Sequence, residues 1–157
     1  MTFSMMGQEV YARDIAGGAG GFRRFVDLVR LHANGHSVIY AEQELDLLKT
    51  GVTDFGLSLD EARGILYSTS QSQSVALESQ IDHYLSAFMQ KNIKKGRLSR
   101  KDFNRLVRLY QTMTHDSVPK GEAQKRVKAI AIRRGLQPRR DWLRLGSRRW
   151  FNRVEAA

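Results

Sequence analysis

The chain contains no cysteine and only two prolines among its 157 residues. Without thiols it forms neither disulfides nor thiolate metal sites, and that usage fits a cytoplasmic protein. No stretch approaches the roughly 18 uninterrupted apolar residues of a membrane span. Met1 to Gly7 lacks the cationic start and apolar run of a secretory leader. No nucleophile elbow, Walker loop, dinucleotide fingerprint or zinc-protease helix is present. The expectation is a protein that is not an enzyme and needs no cofactor. Acidic charge is scarce in one half only. Residues 1–90 hold 6 Lys+Arg and 11 Asp+Glu, a net of −5, whereas residues 91–157 hold 20 and 5, a net of +15.

With 41% hydrophobic residues, the chain is long and apolar enough to bury a core. Residues 1–21 are weakly patterned and end in the run Gly17 to Gly21. Glycine loses much backbone entropy in a helix, so this run predicts a flexible N-terminal joint, with residues 22–157 as one helical domain. From there apolar residues recur at helical spacing. Phe22, Phe25, Val26, Val29 and Ala33 form a first stripe, ended by Asn34-Gly35. A second helix is expected over 40–55, with Leu45, Leu48, Val52 and Phe55 inward. Ser58 and Glu61 form a capping box for a third helix to about Ser68, and Ser68 to Ser74 reads as a loop.

A fourth helix is expected over 75–92 and a fifth to about Thr114, using Phe103, Leu106, Val107, Tyr110 and Met113. A sixth runs over 121–134 and a last over 139–154. "HSVIY" (His36 to Tyr40) is too short and isolated to build a sheet. The fold class is all-α, a compact bundle of about six or seven helices.

Two stretches share a pattern. One is "ANGHSVIYAEQELDLL" followed by "FGLSLDEARGIL", the other "KKGRLSRKDFNRLVRLY". Each is a glycine turn, an aliphatic residue, then an acidic residue early in an amphipathic helix. Over roughly residues 22–115 this resembles the tellurite-resistance TerB-like helical domain. The resemblance implies a compact helical accessory or adaptor module. In that family the turn aspartates are associated with cation binding. Here Asn34 and Lys95 stand at those places, and only Glu42 and Asp102 carry over. The resemblance therefore implies a scaffold with its metal site lost.

Other candidate chemistry is thin. His32 and His36 have an i,i+4 spacing, but Asn34-Gly35 interrupts the helix between them. Glu78 and Asp82 share a helical face and could work as an acid/base pair, although carboxylates on a solvated face are commoner.

The basic half carries the main functional signal. Arg97, Arg100, Lys101, Arg105 and Arg108 border the fifth helix, and Lys125, Lys128 and Arg134 line the sixth. Lys120, Arg126 and Arg133 extend the patch. Arg139, Arg140, Arg148 and Arg149 follow in the last segment. Such rows suit phosphate contacts to DNA or RNA. "EAQKRVKAIAIRRGLQPRRDWLRLGSRRW" also allows a helix-turn-helix whose second helix starts at Pro138. Leu143, Trp150 and Val154 form a narrow apolar stripe that would dock the last helix. Trp142 and Trp150 could instead stack on bases. The expected partner is nucleic acid. The alternatives are an acidic protein, a second copy paired through opposite-signed halves, or an anionic membrane surface.

Overall fold

The apolar periodicities close into two compact helical units, residues 1–77 and 78–157. The computed structural model of the chain describes residues 6–139 and 148–154, with side chains from residue 20 onward. Seven helices lie among the described residues, as α1 to α7. None is long and apolar enough to cross a membrane. The fold is all-α, as predicted, with four two-residue strands added.

The first unit contains α1 (Met6–Ala33), β1 (Val38–Ile39), α2 (Ala41–Thr53), α3 (Leu59–Ser72) and β2 (Ala76–Leu77). β1 and β2 pair in parallel, Val38 opposite Ala76 and Ile39 opposite Leu77. The "HSVIY" stretch is thus half of a strand pair, and Val75 to Leu77 lies ahead of the next helix rather than inside it. Phe25, Val29, Ala33, Ile39, Leu47, Leu57, Ala62, Ile65 and Leu66 form the core.

Three expectations fail here for local physical reasons. The backbone of α1 is helical through Gly17–Gly21, where glycine content predicts a flexible joint. Gly21 has a packing role instead. A Cβ there would lie 2.4 Å from the Phe55 carbonyl oxygen, so only glycine lets the two backbones meet. The phase of α2 is shifted as well. Glu44, Leu47 and Gly51 are buried, while Leu45 and Val52 are 53% and 40% exposed. Gly51 sits where a Cβ would approach Phe25 Cζ and Ala62 Cβ at 3.0 Å, so the innermost face of α2 carries no apolar side chain at its closest contact.

The third failure is α3, which continues through Ser68 to Ser72. Ser68 and Ser72 donate to carbonyls three residues back, at 3.2 and 2.8 Å, while Thr69 and Ser70 are buried. Ser68 and Ser72 satisfy themselves on the helix they occupy, whereas the buried Ser70 hydroxyl finds no partner among the described residues, and such a polar run looks like a loop in sequence.

The predicted capping box is present. Ser58 N–H donates to Glu61 Oε2 at 2.8 Å and Glu61 N–H donates to Ser58 Oγ at 3.3 Å. The Ser58 side chain and backbone bonds hold the Glu61 carboxyl below the usual carboxylate range. Its support for α3 is present above that range and fades as pH falls through the lowered value.

Replacing Gly21 with alanine is expected to destabilise the chain by about 1–3 kcal/mol, because the added methyl meets backbone that cannot rotate away. Urea unfolding measures it; an unchanged midpoint would show that Phe55 yields freely.

The second unit contains α4 (Glu78–Asn92), a 3₁₀ turn (Lys94–Gly96), β3 (Arg97–Leu98), α5 (Arg100–Met113), α6 (Lys120–Arg133), β4 (Gln137–Pro138) and α7 (Arg149–Asn152). β3 and β4 also pair in parallel, Arg97 opposite Gln137 and Leu98 opposite Pro138. Phe103, Leu106, Val107 and Tyr110 of α5 are buried, and so are Ala123, Val127, Ile130 and Ala131 of α6.

The two units repeat one frame: helix, glycine turn, short strand, two helices, short strand. Phe25, Val29 and Ala33 correspond to Leu85, Met89 and Ile93, all buried. Leu57 and Ala62 correspond to Val118 and Ala123, again buried. The turn after the third helix of each frame has positive φ, at Ser74 (56°) and Gly135 (69°). What differs is charge. Residues 1–77 carry 6 Lys+Arg and 9 Asp+Glu, and residues 78–157 carry 20 and 7.

Candidate nucleic-acid interface

Helix α5 sets the geometry of the basic surface. Ser99 caps it, its Oγ accepting from Asp102 N–H at 3.1 Å. Phe103, Leu106, Val107 and Tyr110 turn inward while Leu109 and the predicted core residue Met113 are half-buried, which leaves Arg100, Lys101, Arg105 and Arg108 on the exposed side. Arg97 is exposed in β3, one residue before buried Leu98, as strand alternation requires. Among the described residues none of these five cations makes an ion pair, so their charge faces solvent.

The other predicted cations divide by partner. Arg133 is committed to Asp82 at 2.6 Å. Arg134 reaches the same carboxylate at 3.5 Å and donates to Ser86 Oγ at 2.8 Å. Lys128 is half-buried, donates to the Val154 carbonyl, and lies 5.1 Å from the Phe151 ring centre. Lys125 is also half-buried. Arg126 sits between Glu78 at 3.1 Å and Glu122 at 3.0 Å. The Tyr110 hydroxyl donates to Glu78 at 3.0 Å. The carboxylates weighed above as an acid/base pair, Glu78 and Asp82, are thus both held by arginines of the same unit. Much of the predicted α6 patch holds this unit together.

The last segment departs from its expected form. Pro138 lies in β4 and Arg139 is not helical, so no second helix of a helix-turn-helix begins there. The described helix is only Arg149–Asn152, while Arg140 and Leu143 lie outside the described residues. Trp150 and Val154 of the predicted stripe are half-buried. The buried anchor is Phe151, 6% exposed, which the stripe omits. Its ring centre stands 5.9 Å from that of Phe103 and 5.4 Å from that of Trp150. Trp150 stands 5.5 Å from Phe103, and its indole N–H donates to the Arg139 carbonyl at 3.4 Å. This edge-and-tilt cluster docks the segment on its own unit and fixes Arg148 and Arg149, both exposed, at the surface.

A hollow of about 480 Å³ lies over the β3–β4 pair, lined by Lys95, Arg97, Gln137, Pro138, Arg139 and Arg148. An adjoining one of about 750 Å³ is lined by Asn92, Lys94, Lys95, Arg97 and Arg139. Among the described residues, five cations and no carboxylate line these two spaces. The β pairing brings Arg97 and Arg139 together across a long sequence gap. Lys94 and Lys95 were missing from the predicted surface. The signal for them was the "KKGR" turn, which reads from sequence as a place that repels a metal rather than one that attracts an anion. Comparison with family models, curated proteins and solved structures gives no match for this chain.

Proposed function

We propose that this chain binds nucleic acid through its second unit, chiefly by contacts to phosphate. The observation that carries this reading is the row of exposed cations Arg97, Arg100, Lys101, Arg105 and Arg108, none in an ion pair among the described residues, leading toward the cation-lined hollow at Lys94 and Lys95. Exposed guanidinium groups with no internal partner are free to make bidentate contacts and release counterions. Such contacts position a backbone and read no bases, so binding is expected to be largely independent of sequence.

The test is a titration of labelled duplex DNA, single-stranded DNA and RNA at two salt concentrations. Engaging five phosphates gives a slope of log affinity against log salt near −4.5 on duplex, or about −3.5 on a single strand. A shallow slope with weak binding overturns the reading. Strong binding to an acidic polypeptide with none to any oligonucleotide would move the surface to the adaptor alternative.

A further inference from the structure

We infer that the hollow over β3–β4 grips the backbone of a single-stranded nucleic acid, with Lys95 committed to one of its phosphates. This rests on the nucleic-acid reading and narrows it.

The repeated frame provides an internal reference. In the first unit the corresponding turn runs through Asn34 and Gly35 to Val38, one residue longer and without the 3₁₀ helix, and a like strand follows it without Lys or Arg. The frame therefore does not require these cations. Grouping them with no carboxylate among the described lining residues costs self-repulsion, which a bound anion relieves.

Lys95 adds strain to that cost. Its φ is 57°, in the left-handed region, where the first unit uses Gly35 at 77°. Ser74, His115 and Asp116 share that region, and histidine and aspartate visit it more readily than lysine does. A lysine kept where glycine relaxes the turn is a local conflict of the kind that marks functional positions.

The shape selects the ligand. Duplex DNA is a stiff rod with its phosphates on a convex surface. A single strand bends and can press one phosphate into a concavity. The hollow's volume lies in the range of about 300–1,000 Å³ usual for ligand sites. Trp150 is half-buried, and its indole N–H donates to the carbonyl of Arg139, which lines the hollow.

The experiment compares wild type, K95G and K95R on a labelled single-stranded 15-mer and on a duplex of equal length, alongside thermal unfolding. For K95G the melting temperature is expected to rise by about 2 °C as the strain is relieved. Its single-strand affinity is expected to fall about fivefold to tenfold, with the salt slope shallower by about 0.7. Its duplex affinity is expected to change less than about twofold. K95R is expected to keep single-strand binding with no gain in melting temperature. Wild-type affinity for K95G, or equal loss on both ligands, overturns the assignment while the broader reading stands. A lower melting temperature for K95G would show that Lys95 serves the fold and also overturn it. A wild-type protein that binds no oligonucleotide defeats the broader reading itself.

Discussion

Replacing Arg126 with methionine is expected to lower stability by about 3–5 kcal/mol, the largest effect of any exchange considered. The Arg126 and Glu78 side chains are only 19% and 8% exposed, and they join α4 to α6 at 3.1 Å. Methionine keeps the apolar stem and much of the volume but removes the charge. Glu78 would then retain the Tyr110 hydroxyl as a hydrogen-bond donor and lose the guanidinium at 3.1 Å. A desolvated carboxylate in that state is far costlier than the intact pair is favourable. Replacing Glu78 with methionine in the same chain should therefore recover most of the loss. Urea unfolding of the three proteins decides it. A loss below about 1 kcal/mol for R126M would place the pair with ordinary surface ion pairs. Any R126M that remains folded should bind oligonucleotides nearly as well as wild type, since this arginine faces inward.

The opposite pattern is expected on α5. Changing Arg100, Arg105 and Arg108 together to serine should leave stability within about 0.5 kcal/mol per site, because all three are exposed and none makes an ion pair among the described residues. Affinity should fall on the order of tenfold per arginine at low salt. The salt slope should become shallower by about 2.7 on duplex, or about 2.1 on a single strand. Anisotropy titrations at several salt concentrations measure both. A triple variant that keeps the wild-type slope would remove α5 from the interface.

The features legible in sequence are those set by neighbours three or four residues apart. The apolar face of α5 follows directly from Phe103, Leu106, Val107 and Tyr110, and its exposed cations follow from what remains. The α3 start follows from Ser58 and Glu61. The misreadings have a common cause. Gly21 and Gly51 matter for the side chain they lack, which no hydrophobic pattern can register. Thr69 and Ser70 are buried polar residues that resemble a loop. Arg126 looks like a solvent-facing cation until the fold brings Glu78, far away in sequence, against it, and Arg133, though exposed, meets Asp82 in the same way. The hollow is likewise a product of strand pairing, since Lys95 and Arg139 become neighbours only when β3 meets β4.

The strand pairs also set an order of events. Each joins segments far apart in the chain through just two residues per strand, Val38–Ile39 with Ala76–Leu77 and Arg97–Leu98 with Gln137–Pro138. Closing so long a loop costs entropy that two rungs of a ladder cannot supply. The helices, whose contacts are local, must gather first and hold the strand ends near one another. The pairs then close last, as Ile39, Leu77 and Leu98 reach their buried places. The two sides of the cationic hollow thus meet along the latest-formed seam of their unit.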